Sequence, residues 1–233
     1  MQHLPEVVEE ALARMPKVPV RRIPGSTRWD VIAPLPAAGN IGIELGVAGG
    51  SFSQRMVESG RFREFYGVDA YNDGHSTREY KSALRATGLW SDYRLLRMTF
   101  SQAVDLFPDA YFDFIYVDGF AHSGLEGGRT LADWYPKLKP GGILAGDDYD
   151  LKSWPLVVWA VNEAAAQLEA ELVLSDLVQD QAYARFPSWS LVRPRKGPET
   201  LIFSKALQQF SDAERARIDG LRRQKRLEKK ADR

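Results

Sequence analysis

The chain reads as one α/β domain built on a mostly parallel sheet, and three observations predict that class. Apolar runs of strand length recur near 41–45, 65–69 and 112–118, and each carries an acid at or near its end: Glu44, Asp69 and Asp118. Helix-compatible stretches separate these runs, the alternation that parallel strands joined by helical crossovers require. Between the first strand and its helix lies a turn holding Gly46, Gly49 and Gly50. Such a turn lets a ligand approach the backbone just past a strand's carboxyl end.

Taken in order, residues 5–15 form a leading helix, and a proline-rich connector from Val18 to Ala38 leads into the first strand. Strands are expected near 41–45, 65–69, 93–98, 112–118, 142–147, 171–175 and 188–193. Helices are expected near 51–60, 76–87, 101–107, 124–137 and 155–170. The turn KLKPGG, Lys137 to Gly142, stops a helix and reverses the chain into the next strand. Ser211 to Glu214, S-x-x-E, is a capping-box signature opening a last helix. The basic residues beyond it, Arg215 to Lys230, read as a solvated terminal helix in preference to a phosphate-binding arm. Three segments result: 1–40 (helix and connector), 41–203 (the α/β domain) and 204–233 (the basic tail).

Composition narrows the functional classes. At 233 residues and 44% hydrophobic content, one domain with a sizeable core is expected. Lys+Arg and Asp+Glu both number 31, so no overall basic footprint points to nucleic acid. The absence of cysteine removes disulfides, thiolate nucleophiles and cysteine-based zinc sites. No apolar stretch approaches the roughly 20 residues needed to span a bilayer. The acidic N-terminal stretch lacks a signal peptide's apolar core, so a cytoplasmic location is expected.

The glycine turn argues about the ligand. G-x-G-x-x-G fails here, because Val47 and Ala48 separate Gly46 from Gly49, and no P-loop pattern follows. What remains is E-x-G-x-x-x-G from Glu44 to Gly50, with the acid on the strand itself. That arrangement suits a ligand bearing both a carboxylate and an ammonium. Asp69, roughly 20 residues past the glycine loop, stands where an acid accepts hydrogen bonds from ribose hydroxyls. Asp118 closes one strand, and Asp147 with Asp148 closes its expected neighbour. Three carboxylates at adjacent strand ends repel one another unless a cation or protons intervene. A hard divalent ion, Mg²⁺ or Mn²⁺, would relieve that repulsion.

The turn resembles motif I of the class I S-adenosylmethionine-dependent methyltransferases. The longer run FDFIYVDGFAHS … WYPKLKPGGILAGDDYD is similar to the metal-dependent sugar O-methyltransferases of antibiotic biosynthesis (macrocin O-methyltransferase-like), and the likeness spans roughly Ile41 to Arg193. The resemblance implies a Rossmann-like domain of seven mostly parallel strands, with helices on both faces and an antiparallel last strand. It also implies a cofactor site of Glu44, Gly46, Val47, Gly50, Ser51, Asp69, Ala70, Ser101 and Asp118, holding S-adenosyl-L-methionine. By the same resemblance Asp118, Asp147 and Asp148 hold Mg²⁺ or Mn²⁺, and His122 takes the proton from an acceptor hydroxyl beside Asp118. DGFAHSG has one residue more before the histidine than the family's D-G-x-H-S-Y, and lacks its tyrosine. The acceptor is a small molecule bearing a hydroxyl, a sugar among the candidates. The alternatives are metal-independent transfer to nitrogen or a carboxyl group, a non-catalytic S-adenosylmethionine-binding relative, and, disfavoured by the failed dinucleotide fingerprint, a nucleotide-dependent oxidoreductase. A homo-oligomer through the terminal helices is compatible with all of these.

Overall fold

Alternating side chains on the central strands decide which helices lie on which face. The computed structural model describes residues 5–72, 76–87, 90–118, 124–178 and 184–231, with side chains to 224. Helix α1 (Pro5–Arg14) precedes β1 (Val20–Ile23) and a 3-10 turn, Arg28–Ile32. Then follow β2 (Asn40–Leu45), α2 (Ser51–Glu58), β3 (Phe62–Val68), α3 (Thr77–Ala86) and β4 (Tyr93–Leu96). Next come α4 (Phe100–Ala103), β5 (Phe112–Val117), α5 (Arg129–Trp134), β6 (Leu138–Gly146) and α6 (Pro155–Gln167). The chain closes with β7 (Leu172–Ser175), β8 (Trp189–Val192) and the long α7 (Lys205–Ala231).

These strands form one eight-stranded sheet in the order β1-β7-β8-β6-β5-β2-β3-β4. All pairings are parallel except those of β8, which runs antiparallel to β6 and β7. The domain is therefore a Rossmann-like α/β fold with one strand more than the seven expected. The eighth is β1, inside the proline-rich connector, where Val20 to Ile23 pair with Leu172 to Ser175. Its burial is low, so it has no apolar run to reveal it. Chain direction along the sheet reverses between β2 and β5, and ligands bind α/β sheets at the carboxyl ends of strands beside such a reversal.

Ile41, Ile43 and Leu45 of β2, with Ile115 and Val117 of β5, face a core covered by α1, α4, α5, α6 and α7. Phe114, Tyr116, Ile143 and Ala145 face the opposite core, closed by α2 and by Val31, Ile32 and Leu35 from the connector. On that side Phe52 stacks on Tyr116 with ring centroids 3.9 Å apart. Gly42 fits because a side chain there would meet the rings of Phe62 and Phe65. Helix α6 is buried nearly all round, because α1 and α7 pack over its outer side.

Two local expectations are corrected. The KPGG stretch lies inside β6, which starts at Leu138 opposite Phe112 with a register shift, so the reversal expected there is a bulged strand start. Ser211 does not open a helix. It lies 1% exposed within α7 and donates from Oγ to the Gly124 carbonyl at 3.0 Å. The capping bond is made by Ser204, whose Oγ accepts from the Leu207 N–H at 3.2 Å.

Candidate active site

At the sheet reversal, the segment after β2 turns sharply, and Gly46, Ala48 and Gly50 all have positive φ. Only glycine fits at position 50, since φ is +88° and a Cβ would lie 2.8 Å from the Ala83 Cα of α3. Asp69, at the end of β3, is 3% exposed and pins this loop. One carboxylate oxygen accepts from Val47 N and Ala48 N at 3.0 Å each, and the other accepts from Tyr71 N at 2.9 Å. The Tyr71 hydroxyl donates to the Ala48 carbonyl at 3.0 Å, adding a second tie. Asp69 and the glycine turn are thus brought together, with Ala70 half-buried between them and Tyr71, and Ser51 opening α2. The backbone donors that could meet a ligand's carboxylate at Val47 and Ala48 are given to Asp69.

Glu44 points away from that loop, toward α2. It is 2% exposed and accepts a short hydrogen bond from Ser53 Oγ, which in turn accepts from the Tyr93 hydroxyl at 2.9 Å. Burial pushes the Glu44 carboxyl well above the usual carboxylate range, against the opposing hydrogen bond from Ser53. Gly67 makes the relay possible, since a side chain on it would collide with the Tyr93 hydroxyl. Ser101 is exposed beside Thr99, with 3.2 Å between the hydroxyls, while Thr99 and Gln102 form the capping box of α4. His122 lies outside the described residues.

The carboxylates at the next two strand ends meet an unexpected partner. Arg28, only 5% exposed, reaches from the connector with Nη2 3.3 Å from Asp118 Oδ2 and Nη1 3.3 Å from Asp147 Oδ2. Its guanidinium carbon lies 5.2, 5.1 and 5.6 Å from the ring centroids of Trp29, Phe52 and Tyr116. Burial by itself disfavours the arginine's charge, yet Tyr116, Asp147, Asp118 and Glu44 hold it protonated beyond its ordinary range. Asp147 is fixed further: Ser188 Oγ donates to its Oδ1 at 2.9 Å, and the Trp189 indole N–H donates to its carbonyl at 3.1 Å. Burial pushes the Asp147 carboxyl up to about 6, against the pull of Arg28.

This arrangement gives the metal expectation no support. Among the described residues no group of three His, Cys, Asp or Glu is placed to hold a metal ion. Asp118 and Asp147 converge, as their strand positions required, but on a guanidinium. Asp148 sits on a left-handed backbone with φ +62° and is less buried than Asp147. A divalent ion about 4 Å from a fixed guanidinium would meet repulsion of about 8 kcal/mol at an effective dielectric of 20. The acids therefore do not fit a divalent metal while Arg28 stands between them.

Arg28, Ser53, Tyr93 and Ser188 are site residues that sequence reasoning did not find. Only Arg28 had a readable local signal, because Thr27 and Asp30 form a capping box around the turn that carries it. That signal locates a turn but says nothing of partners 90 residues away in the chain.

Behind the site, the segment 124–128 is clamped by the C-terminal region. Gly128 lies against the Phe203 ring, Gly127 lies against Gln208, and Arg215 Nε donates to the Leu125 carbonyl at 2.9 Å. Glu126 accepts from the Thr130 N–H at 3.0 Å and from its hydroxyl, and burial pushes its carboxyl up.

Comparison with known proteins bears on the fold. Residues 40–149 match a family profile described as a methyltransferase domain. No curated protein sequence matches the chain. The N-methyltransferase NodS from Bradyrhizobium japonicum is similar in structure, with TM-score 0.53 and 18% identity over 72% of this chain and 91% of that one. A Klebsiella pneumoniae protein assigned provisionally as an O-methyltransferase gives TM-score 0.52 and 16% identity, covering 81% of this chain and 88% of that one. The CurJ carbon methyltransferase gives TM-score 0.51 and 14% identity over 70% of this chain, which spans only 51% of it. At such identities the likeness is one of fold.

Proposed function

We propose that the protein is an S-adenosylmethionine-dependent methyltransferase acting on a hydroxyl of a small molecule, a sugar being one candidate. The observation that carries this reading is the glycine loop at the carboxyl end of β2, pinned by Asp69 at the sheet reversal, within the segment that matches a methyltransferase domain. The three structural neighbours are described as carbon, nitrogen and oxygen methyltransferases, so the fold does not choose the acceptor atom. Oxygen is preferred on the sequence from Phe112 to Asp150, through its resemblance to sugar O-methyltransferases.

The cofactor would lie over the loop of Gly46, Val47, Gly50 and Ser51, with Asp69 and Ala70 toward its ribose and Ser101 toward its base. For Asp69 to serve the ribose, its carboxylate would share or exchange the loop N–H groups it accepts from in the structure. In the transfer, the acceptor oxygen attacks the methyl carbon while the carbon–sulfur bond breaks. The sulfonium sulfur keeps the electron pair and becomes neutral, and the hydroxyl proton leaves to a base. His122, four residues past Asp118, is our candidate for that base, and Asp118 for orienting the hydroxyl. Positioning does most of the work, because a sulfonium already carries its activated methyl group. No step is assigned to a metal. A cytoplasmic location fits a chain in which no described helix is long and apolar enough to cross a membrane.

Calorimetric titration with S-adenosylmethionine, on the wild type and on Asp69→Ala, tests the cofactor. Micromolar binding that weakens at least about tenfold in the variant is expected. No binding to a folded wild type would overturn the proposal.

A further inference from the structure

We propose that Arg28 is the resident cation of the Asp118–Asp147 pair, occupying the place where paired acids at neighbouring strand ends would otherwise attract a divalent ion. The guanidinium divides its fork, giving one terminal nitrogen to each carboxylate at 3.3 Å. Its face is closed by Trp29, Phe52 and Tyr116, so water and other cations are kept from it on that side.

The segment that carries Arg28 is built into the fold. Upstream, β1 pairs along its whole length with β7, and Ser26 accepts from the N–H groups of Asp176 and Leu177 at 3.1 and 2.8 Å. Downstream, Val31, Ile32 and Leu35 bury their side chains on the sheet face shared with α2. Thr27 and Asp30 lock the turn between these anchors. Asp147 cannot swing away to a competing ion without breaking its bond to Ser188. Arg28 is thus a positioning residue. It holds two acids in place at the carboxyl ends of β5 and β6 and offsets their charge, with Asp118 the more exposed of the pair at 19%. The proposal depends on the methyltransferase reading only in placing the acceptor here, since metal exclusion can be measured without cofactor or acceptor.

The test is a Mn²⁺ titration of the full chain followed by electron paramagnetic resonance. It uses the wild type, Asp147→Asn, Arg28→Lys, Arg28→Gln and the double variant Arg28→Gln/Asp147→Asn. Wild type and Arg28→Lys should leave the free Mn²⁺ signal unchanged, because both keep a cation at the pair. Arg28→Gln should take up about one Mn²⁺ per chain, at least about tenfold more tightly than wild type, and the double variant should lose it. Wild-type uptake that Asp147→Asn abolishes would overturn the proposal. So would an Arg28→Gln protein with an unchanged circular dichroism spectrum that binds Mn²⁺ no better than wild type. If the glutamine variant fails to fold, the wild type and Arg28→Lys still decide: silence in both supports the proposal, and site-specific uptake by either refutes it. Titration of the wild type with S-adenosylmethionine reports separately on the cofactor reading.

Discussion

Single residues in this site are governed by burial as much as by contact. Glu126 shows this where its consequence is measurable. Burial raises its pKa above the 4.5 of an ordinary glutamate, in spite of the hydrogen bonds from Thr130. The folded state therefore binds more protons than the unfolded chain at pH above that value. Glu126's stabilising contribution is complete below about 4.5 and is lost as pH rises through the raised folded value. Glu126→Gln keeps an acceptor for the Thr130 N–H and removes the buried charge. Thermal melts should show the variant above wild type at pH 8, with the two converging near pH 4. A variant that melts lower at pH 8 would mean that Arg215 compensates the carboxylate fully. Glu44, more deeply buried, was legible as an acid on a strand. Its partners Ser53 and Tyr93 were not, because one comes from the following helix and the other from two strands further on.

At the scale of elements, short segments hold the site through close approaches that leave no room for a Cβ. Gly128 caps α5 with φ +83°, and a Cβ there would lie 2.5 Å from the Phe203 ring. Gly128→Ala should cost about 1–2 kcal/mol for the backbone alone, with the ring clash added. Urea unfolding should show a loss beyond that range, and a loss confined to it would mean that Phe203 moves aside without cost. The connector teaches the converse lesson. Its prolines and exposed Val20, Arg21 and Arg22 read as linker, yet its backbone adds an edge strand and delivers Arg28. An edge strand needs hydrogen bonds from one neighbour only and little apolar surface, so its pattern carries almost no signal.

Across the whole molecule, the C-terminal helix is part of the core as well as a charged tail. Leu207 is fully buried, Ser211 and Glu214 nearly so, and Phe210 packs on Trp159 of α6 at 5.9 Å between ring centroids. Leu207→Ala should lower stability by about 2–5 kcal/mol, measured by chemical denaturation, although the residue lies outside the α/β domain expected from sequence. A loss under about 1 kcal/mol would mean that α7 contributes little to the fold. The parallel sheet, the glycine loop, Asp69 beside it, and the convergence of Asp118 with Asp147 were all legible in the chain. Each depends on local pattern: apolar runs of strand length, turn residues, and acids at strand ends. The cation between those acids, the pinning of the loop by Asp69, the relay from Tyr93 to Glu44 and the clamp of α7 on residues 124–128 depend on distant segments meeting. Residues 28 and 118 become neighbours only when the sheet forms. The sequence could therefore require a cation or protons at the acid pair, but only folding could bring a guanidinium to meet it.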